Sequence, residues 1–164
     1  MGGNAANGGK ARGVTLHFAY GSNMSRAVMR RHAPDAEPVG VATLADYRFV
    51  ISTHGHASVA PCQSSTVYGV VWRLRLRDRV TLAAWENIAG GLYRAAMLPV
   101  RQAGQRRLAV VYLSRSQTEV APQVGYMDVV IAAALEWQLP APYIEELRSW
   151  SSRRPQRLRA FRWT

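Results

Sequence analysis

The segment from residue 39 to residue 76 limits the fold more than any other part of the chain. It contains three runs rich in β-branched and aromatic residues, at Val39 to Ile51, His56 to Ala60 and Thr66 to Leu76, separated by Gly, Ser, Pro and His clusters. Runs of this kind between turn-forming residues are typical of strands. We therefore expect several antiparallel strands in the middle of the chain.

The flanking patterns add three strands and four helices to this centre. The predicted strands are Val14 to Tyr20, Leu92 to Val100 and Arg106 to Leu113, and the predicted helices are Met24 to His32, Arg79 to Ile88 with Asp78 as N-cap, Tyr126 to Gln138 and Pro142 to Trp150. This order of elements predicts an α+β fold with a mixed, strongly curved β-sheet or small barrel flanked by helices.

A length of 164 residues with 48% hydrophobic residues predicts one domain with a substantial core. The Gly- and Asn-rich opening offers nothing to bury, so residues 1–13 are predicted to be a disordered leader. The domain itself is predicted to span residues 14–150. Residues 151–164 are predicted to form a basic C-terminal tail.

The formal net charge of +11 is concentrated at the two ends of the chain. Lys10 and Arg12 at one end and five arginines after residue 150 at the other account for seven of the eleven charges. The central region carries only a small positive excess, which weakens a nucleic-acid interpretation of the whole domain. The arginine tail, with Leu158, Phe161 and Trp163, either contacts RNA or acidic membrane or docks its aromatic residues on the domain.

The sequence predicts a soluble protein of the cytoplasm with no membrane partner. No apolar run approaches the roughly 18 residues of a membrane span, and the first thirty residues lack the apolar stretch of a signal peptide. Cys62 is the only cysteine, so no intramolecular disulfide forms, which fits a reducing compartment.

The first candidate site is the loop of residues 20–23 (YGSN), between a predicted strand and a predicted helix. Main-chain N–H groups converge at such a loop, Gly21 lets a ligand approach the backbone, and the helix dipole favours negative charge. The loop is therefore a candidate anion or oxyanion cradle. The alternative is an ordinary strand-to-helix turn in which Ser22 or Asn23 caps the helix.

The second candidate site is Glu86. In a helix from 79 to 88, Glu86 shares a stripe with Leu82, Ala89 and Gly90. Partial burial disfavours the charged carboxylate and raises its pKa towards the range in which it takes and returns a proton near neutrality. The alternative is a solvated Glu86, or one paired with an arginine such as Arg79.

The remaining clusters of reactive residues predict no metal or nucleophile site. His54 and His56 are two residues apart on a predicted strand, so they point to opposite faces, and no further ligand is grouped with them. Cys62 beside these histidines is more typical of an incidental cysteine than of a nucleophile. We predict no metal site.

Four segments in register resemble the γ-glutamylcyclotransferase family, in its classical and AIG2-like forms. Residues 18–24 (FAYGSNM) resemble the family signature FAYGSN(L/M), and residues 68–72 (YGVVW) resemble its GVVW strand. Glu86 precedes Gly91-Leu92-Tyr93 at the spacing of the family's catalytic glutamate before a GMY-like strand. Pro122-Gln123, Tyr126 and the helix after them are similar to the segment with its substrate-contacting tyrosine. YGSN differs from YGSL and YGTL in other branches, which favours the classical branch.

The resemblance implies that the α-amine of a γ-glutamyl amino acid, peptide or amine attacks its own γ-carbonyl, which gives 5-oxoproline and a free amine. It implies Glu86 as the catalytic general acid and base, a small-molecule substrate and no cofactor. The substrate-binding residues it implies are Phe18, Ala19, Tyr20, Gly21, Ser22, Asn23 and Tyr126. The alternative function is a non-catalytic module that binds an anionic ligand or nucleic acid through its arginine-rich surface.

Overall fold

The computed structural model describes residues 13–116 and 118–153. The predicted leader (1–13) therefore lies outside the described residues except for Gly13, and the predicted tail (151–164) lies outside them except for its first three residues.

Five strands and four helices make up this part of the chain. They are β1 Thr15–Ala19, α1 Arg26–His32, β2 Glu37–Ile51, β3 Ala57–Leu74, α2 Leu76–Trp85, β4 Tyr93–Gln102, β5 Gln105–Ser114, α3 Tyr126–Glu136 and α4 Ala141–Ser151, with a 3₁₀ turn at Ser22–Met24. The strands form a closed barrel in the order β1-β3-β2-β4-β5. The predicted α+β fold with a small barrel and flanking helices is confirmed.

The barrel closes where β1 meets β5. These two strands run parallel and pair at His17 and Val110, whereas every other strand pairing is antiparallel, so the sheet is mixed. The His17 Nδ1 atom lies 3.0 Å from the Val110 carbonyl oxygen and supports this short seam. Burial lowers the pKa of His17 to about 4, so its ring is neutral near pH 7.

The prediction of two strands between residues 56 and 76 is wrong, because β3 is continuous. Its partner β2 follows it along almost its whole length, with register shifts at Pro38/Gly40 and at Ala45/Tyr47, and the second of these is a bulge rather than a loop. Asp46 and Ser64 take positive φ values of 61° and 64°, and Ser64 N donates to Asp46 Oδ1 at 3.0 Å. The polar residues that suggest a chain break therefore form a bulge.

The predicted start and end of α2 are also wrong. The helix begins at Leu76, so Asp78 is its third residue and not its N-cap. The Asp78 side chain is buried and accepts hydrogen bonds from Arg75 N and Asp35 N, both at 3.3 Å. At the other end the helix stops at Trp85, and Glu86 is the C-cap residue. The carboxyl of Asp78 thus joins the start of α2 to the loop after α1.

Helices α3 and α4 cover the outside of the barrel and pack through aromatic edges. Trp137 meets Trp72 at 5.9 Å between ring centroids, with planes at 89°, and Trp150 meets Phe49 at 6.1 Å. The Trp137 Nε1 group donates to Met24 O at 2.7 Å, which ties the end of α3 to the turn after β1. None of the helices described is both long and apolar enough to cross a membrane.

Candidate active site

A cavity of about 310 Å³ opens at the end of β1, where the strand leads into the YGSN loop. Residues from β1, the loop after α2, β4, β5 and α3 surround it. Its lining residues are His17, Phe18, Ala19, Tyr20, Gly21, Ser22, Asn23, His56, Ala57, Trp85, Glu86, Leu92, Tyr93, Tyr112 and Tyr126. All eight site residues predicted from the sequence therefore lie around one cavity.

The YGSN loop is held tightly against Tyr126. Met24 N donates to Gly21 O at 3.0 Å and closes the 3₁₀ turn after the strand. A Cβ at Gly21 would lie 2.7 Å from Tyr126 Oη and 3.0 Å from Ala57 Cβ, so no larger residue fits there. Glycine is therefore required at position 21 because the hydroxyl group of Tyr126 lies so close to its backbone.

The Tyr126 hydroxyl connects the loop to the start of β3. It accepts hydrogen bonds from Ala57 N at 3.1 Å and from Ser22 N at 3.4 Å. The Ser22 N–H predicted as an anion donor is therefore already engaged with Tyr126, and a ligand has to share it. Burial raises the pKa of Tyr126, so the hydroxyl keeps its proton near neutrality.

Tyr126→Phe is expected to destabilise the protein by about 1–3 kcal/mol, because two N–H groups lose their acceptor. The measurement is the free energy of unfolding in urea. Tyr47→Phe is the matched control, because the hydroxyl of Tyr47, a half-buried residue, makes no hydrogen bond within the described residues. Equal stability of the two variants would contradict the linking role of Tyr126.

Asn23 and Glu86 meet in the cavity although they are 63 residues apart in sequence. Asn23 Nδ2 donates to Glu86 Oε1 at 2.6 Å, and the Asn23 side chain is buried. The predicted reason for the burial of Glu86, a shared helical stripe with Ala89 and Gly90, is wrong because α2 ends before Glu86. The turn after the helix aims the carboxyl group towards the YGSN loop. Among the described residues, no arginine forms a salt bridge with Glu86.

Burial raises the pKa of Glu86 from 4.5 to about 7, and the hydrogen bond from Asn23 opposes part of that rise. Burial has the larger effect on the pKa because much of the carboxyl group is withdrawn from water, while a single amide donor stabilises its charged form. Near pH 7 the protonated and charged forms of Glu86 are therefore both well populated. Such a group is suited to take a proton and return it.

Asn23→Ala is expected to raise the pKa of Glu86 further, by about one pH unit, because the charged form loses its amide donor. Carbon-13 NMR of labelled glutamate side chains, followed from pH 4 to pH 9, measures this directly. The variant has to retain its thermal stability for the comparison to hold. A Glu86 titration that is the same in both proteins would show that Asn23 does not stabilise the carboxylate.

Three further tyrosines complete the wall of the cavity. Tyr93 Oη donates to Ala57 O at 2.8 Å, and Tyr20 Oη donates to Tyr112 O. Burial raises the pKa of all three, so they remain neutral hydroxyl groups near pH 7. Tyr93, Tyr112 and His17 also line the cavity but are not predicted from the sequence as cavity residues. Strand alternation gives no signal for them, since only closure of the barrel brings β1, β4 and β5 to one point.

The side chains of His54, His56 and Cys62 do not assemble into a site. His56 lines the cavity, His54 is exposed, and Cys62 accepts a hydrogen bond from Ser65 Oγ at 3.1 Å on β3. Across residues 13–116 and 118–153, no three His, Cys, Asp or Glu side chains are grouped as metal ligands. Within the same residues, Glu86 is the only carboxylate that lines the cavity. No Lys or Arg lines it there either, so backbone N–H groups are its main hydrogen-bond donors to an anion.

Comparison with known proteins first defines the class of fold. A solved structure titled gamma-glutamyl cyclotransferase superposes with a TM-score of 0.79 at 25% identity and covers 87% of this chain and 89% of its own. Two curated proteins named gamma-glutamylcyclotransferase are similar over 145 residues, the human protein at 26% identity and the mouse protein at 28%. Each alignment covers 82% of this chain and 77% of the relative. The barrel is thus a γ-glutamylcyclotransferase-like fold.

The family follows from a second comparison. The model of the AIG2-like family matches residues 66–147, from the middle of β3 to α4. The matched segment contains Glu86 and Tyr126 and excludes the YGSN loop. This chain belongs to the AIG2-like family.

Proposed function

We propose that this protein is a γ-glutamylcyclotransferase. In the proposed reaction the α-amine of a γ-glutamyl compound attacks its own γ-carbonyl carbon, the amide C–N bond breaks, and 5-oxoproline and a free amine are formed. The observation that carries the proposal is Glu86, a largely buried carboxyl group in the cavity with a pKa of about 7 and a hydrogen bond to the YGSN loop. The names of the curated relatives support the same class of activity.

Glu86 supplies the proton transfers in this proposal. The attacking nitrogen loses a proton as the ring closes, and the leaving nitrogen gains one as the amide bond breaks. One carboxyl group that acts first as base and then as acid balances both steps and returns to its starting form. A pKa near the working pH serves both directions, since a carboxylate with an ordinary pKa would seldom be protonated when the amine departs. The bond changes require no metal or organic cofactor.

The YGSN loop and the tyrosines hold the substrate in this proposal. With no cation among the described lining residues, we assign the substrate α-carboxylate or the developing oxyanion to the N–H groups of Tyr20 and Gly21. The Ser22 N–H joins them when the contact with Tyr126 is exchanged. Phe18 and Ala19 form the apolar wall against the carbon chain. Asn23, predicted to position the substrate, is proposed instead to orient Glu86.

Folding the substrate into a ring-closing geometry is the other contribution to catalysis. Nucleophile and electrophile belong to one molecule, so a cavity that holds them about 3 Å apart gains the large effective molarity of an intramolecular reaction. Hydrogen-bonded walls such as Tyr93 and Tyr126, each joined to the backbone of Ala57, suit this task because these contacts restrict their movement.

The test is release of 5-oxoproline by the purified protein from γ-glutamyl-alanine, glutathione and γ-glutamyl-lysine, quantified by chromatography. Release from at least one of the three, with a stoichiometric free amine, supports the proposal. The absence of 5-oxoproline from all three at high protein concentration, while the protein remains folded, contradicts it for small γ-glutamyl substrates.

A further inference from the structure

Trp85 is an exposed aromatic residue at the mouth of the candidate active site. Its side chain is 56% exposed, yet it lines the cavity and directly precedes Glu86. By contrast, Trp72 and Trp150 are buried. Because its large apolar ring reaches both solvent and the cavity, Trp85 lies where a bound ligand would extend out of the cavity.

His32 fixes the orientation of this ring. The imidazole of His32, the last residue of α1, stacks on the Trp85 indole at 3.8 Å between ring centroids, with planes at 21°. Burial and the charge of Arg31 lower the pKa of His32, so the stacked ring is mostly neutral near pH 7. A side chain held in place by stacking loses less conformational entropy when a ligand binds.

The inference rests on the proposed function, because that function dictates which part of the substrate lies beside Trp85. The leaving nitrogen has to reach the Glu86 carboxyl, and the atoms attached beyond it extend towards the mouth. Trp85 and Leu92 line the same cavity as Glu86 and supply apolar surface to it. We infer that they bind the side chain of the leaving group, and that the preferred substrates are γ-glutamyl conjugates of amino acids with aromatic side chains.

The charges around the mouth favour a neutral leaving-group side chain over a cationic one. Arg31 lies close enough to His32 to lower the pKa of that histidine, so a positive field reaches the stacked pair. The only carboxylate in the described lining is Glu86, which the proton transfer uses. A lysine side chain therefore finds no carboxylate partner there, and the charge of Arg31 opposes its cation–π contact with Trp85, whereas a phenyl ring gains contact area and stacking.

The experiment compares kcat and KM for γ-glutamyl-phenylalanine, γ-glutamyl-alanine and γ-glutamyl-lysine linked through its α-amine. The wild-type protein is expected to prefer the phenylalanine conjugate over the other two by about tenfold in kcat/KM. Trp85→Ala is expected to remove most of that preference through a higher KM for the phenylalanine conjugate. Trp85→Phe is expected to retain much of it. Val80→Ala, at an exposed site on α2 outside the cavity lining, is the matched control and should keep the wild-type ratio.

Four outcomes would overturn the inference. A wild-type protein that converts the alanine conjugate as well as the phenylalanine conjugate lacks an aromatic subsite, although the proposed function survives. A preference for the lysine conjugate contradicts the choice of a neutral side chain. An equal fall in kcat for all substrates in Trp85→Ala shows that Trp85 acts by supporting Glu86. No 5-oxoproline from any conjugate removes the proposed function and this inference together.

Discussion

Glu86→Gln is expected to lower kcat for 5-oxoproline release by about 10²-fold to 10⁴-fold, with KM nearly unchanged. Glutamine preserves the size of the side chain and still accepts the hydrogen bond from Asn23, but it cannot take a proton from one nitrogen and give it to another. The measurement is steady-state 5-oxoproline release from whichever conjugate the wild-type protein converts best. Wild-type turnover in the variant would rule out Glu86 as the proton-transfer group.

The matched control is Glu145→Gln. Glu145 lies on α4, its side chain is 71% exposed, and it pairs only with Arg148 at 3.4 Å within the described residues. The substitution removes the same charge from the surface of the protein, where an exposed ion pair contributes little to stability. A loss of activity in Glu145→Gln as large as in Glu86→Gln would show that the effect comes from net charge and not from the cavity.

The same Glu86→Gln variant is expected to be more stable than the wild type at alkaline pH. Because the pKa of Glu86 is raised in the folded state, the folded protein holds the proton more tightly than the unfolded chain. The stabilisation that the protonated Glu86 gives the folded protein is thus full below pH 4.5 and is lost as the pH rises through about 7. The rise in the pKa of Glu86 from 4.5 to about 7 corresponds to a loss of about 3 kcal/mol from the free energy of unfolding at pH 8. Urea unfolding at pH 5 and pH 8 should show a variant advantage that grows with pH.

The sheet was predictable from the sequence because strand composition and turn residues are local signals. The β4 and β5 hairpin, with its turn at residues 102 to 105, is of this kind, and the structure confirms it. The bulge at Asp46 and Ser64 was not predictable, since its polar residues resemble a loop until the pairing of β2 with β3 is known. The start of α2 is hard to predict for a related reason. Asp78 at the third helical position accepts a hydrogen bond from the N–H of the N-cap residue Arg75, and an aspartate near a helix start is equally typical of an N-cap.

The candidate site, like the fold, is predictable from the sequence only in part. Glu86 and the YGSN loop are visible as motifs, because each is a short segment whose residue types suggest a chemistry. Their contact is not visible, because Asn23 reaches Glu86 across 63 residues and only the folded barrel brings them together. A stripe on a helix is also the wrong cause for the burial of Glu86. The residue lies in the turn after α2, and a helical period does not describe such a turn.

Gly69→Ala is expected to destabilise the protein by about 3 kcal/mol or more, because a Cβ there has no space. That atom would overlap the Ala19 carbonyl oxygen and lie 2.7 Å from the Phe18 ring, on the neighbouring strand β1. A backbone oxygen in a paired strand cannot move aside as the end of a flexible side chain can. The measurement is the midpoint and slope of urea unfolding for the wild type and the variant.

Gly104→Ala separates this clash from the general cost of replacing a glycine. Gly104 has a φ of 75° in the β4–β5 turn, and a Cβ there meets nothing within 4 Å, so its cost is backbone strain alone, about 1–2 kcal/mol. Ala19 leads directly into Tyr20, so relief of the Gly69→Ala clash has to displace the YGSN loop. We therefore expect folded Gly69→Ala protein to lose 5-oxoproline release at temperatures where Gly104→Ala keeps it. Equal losses of stability and activity in both variants would show that the packing of β1 on β3 does not set the position of the loop.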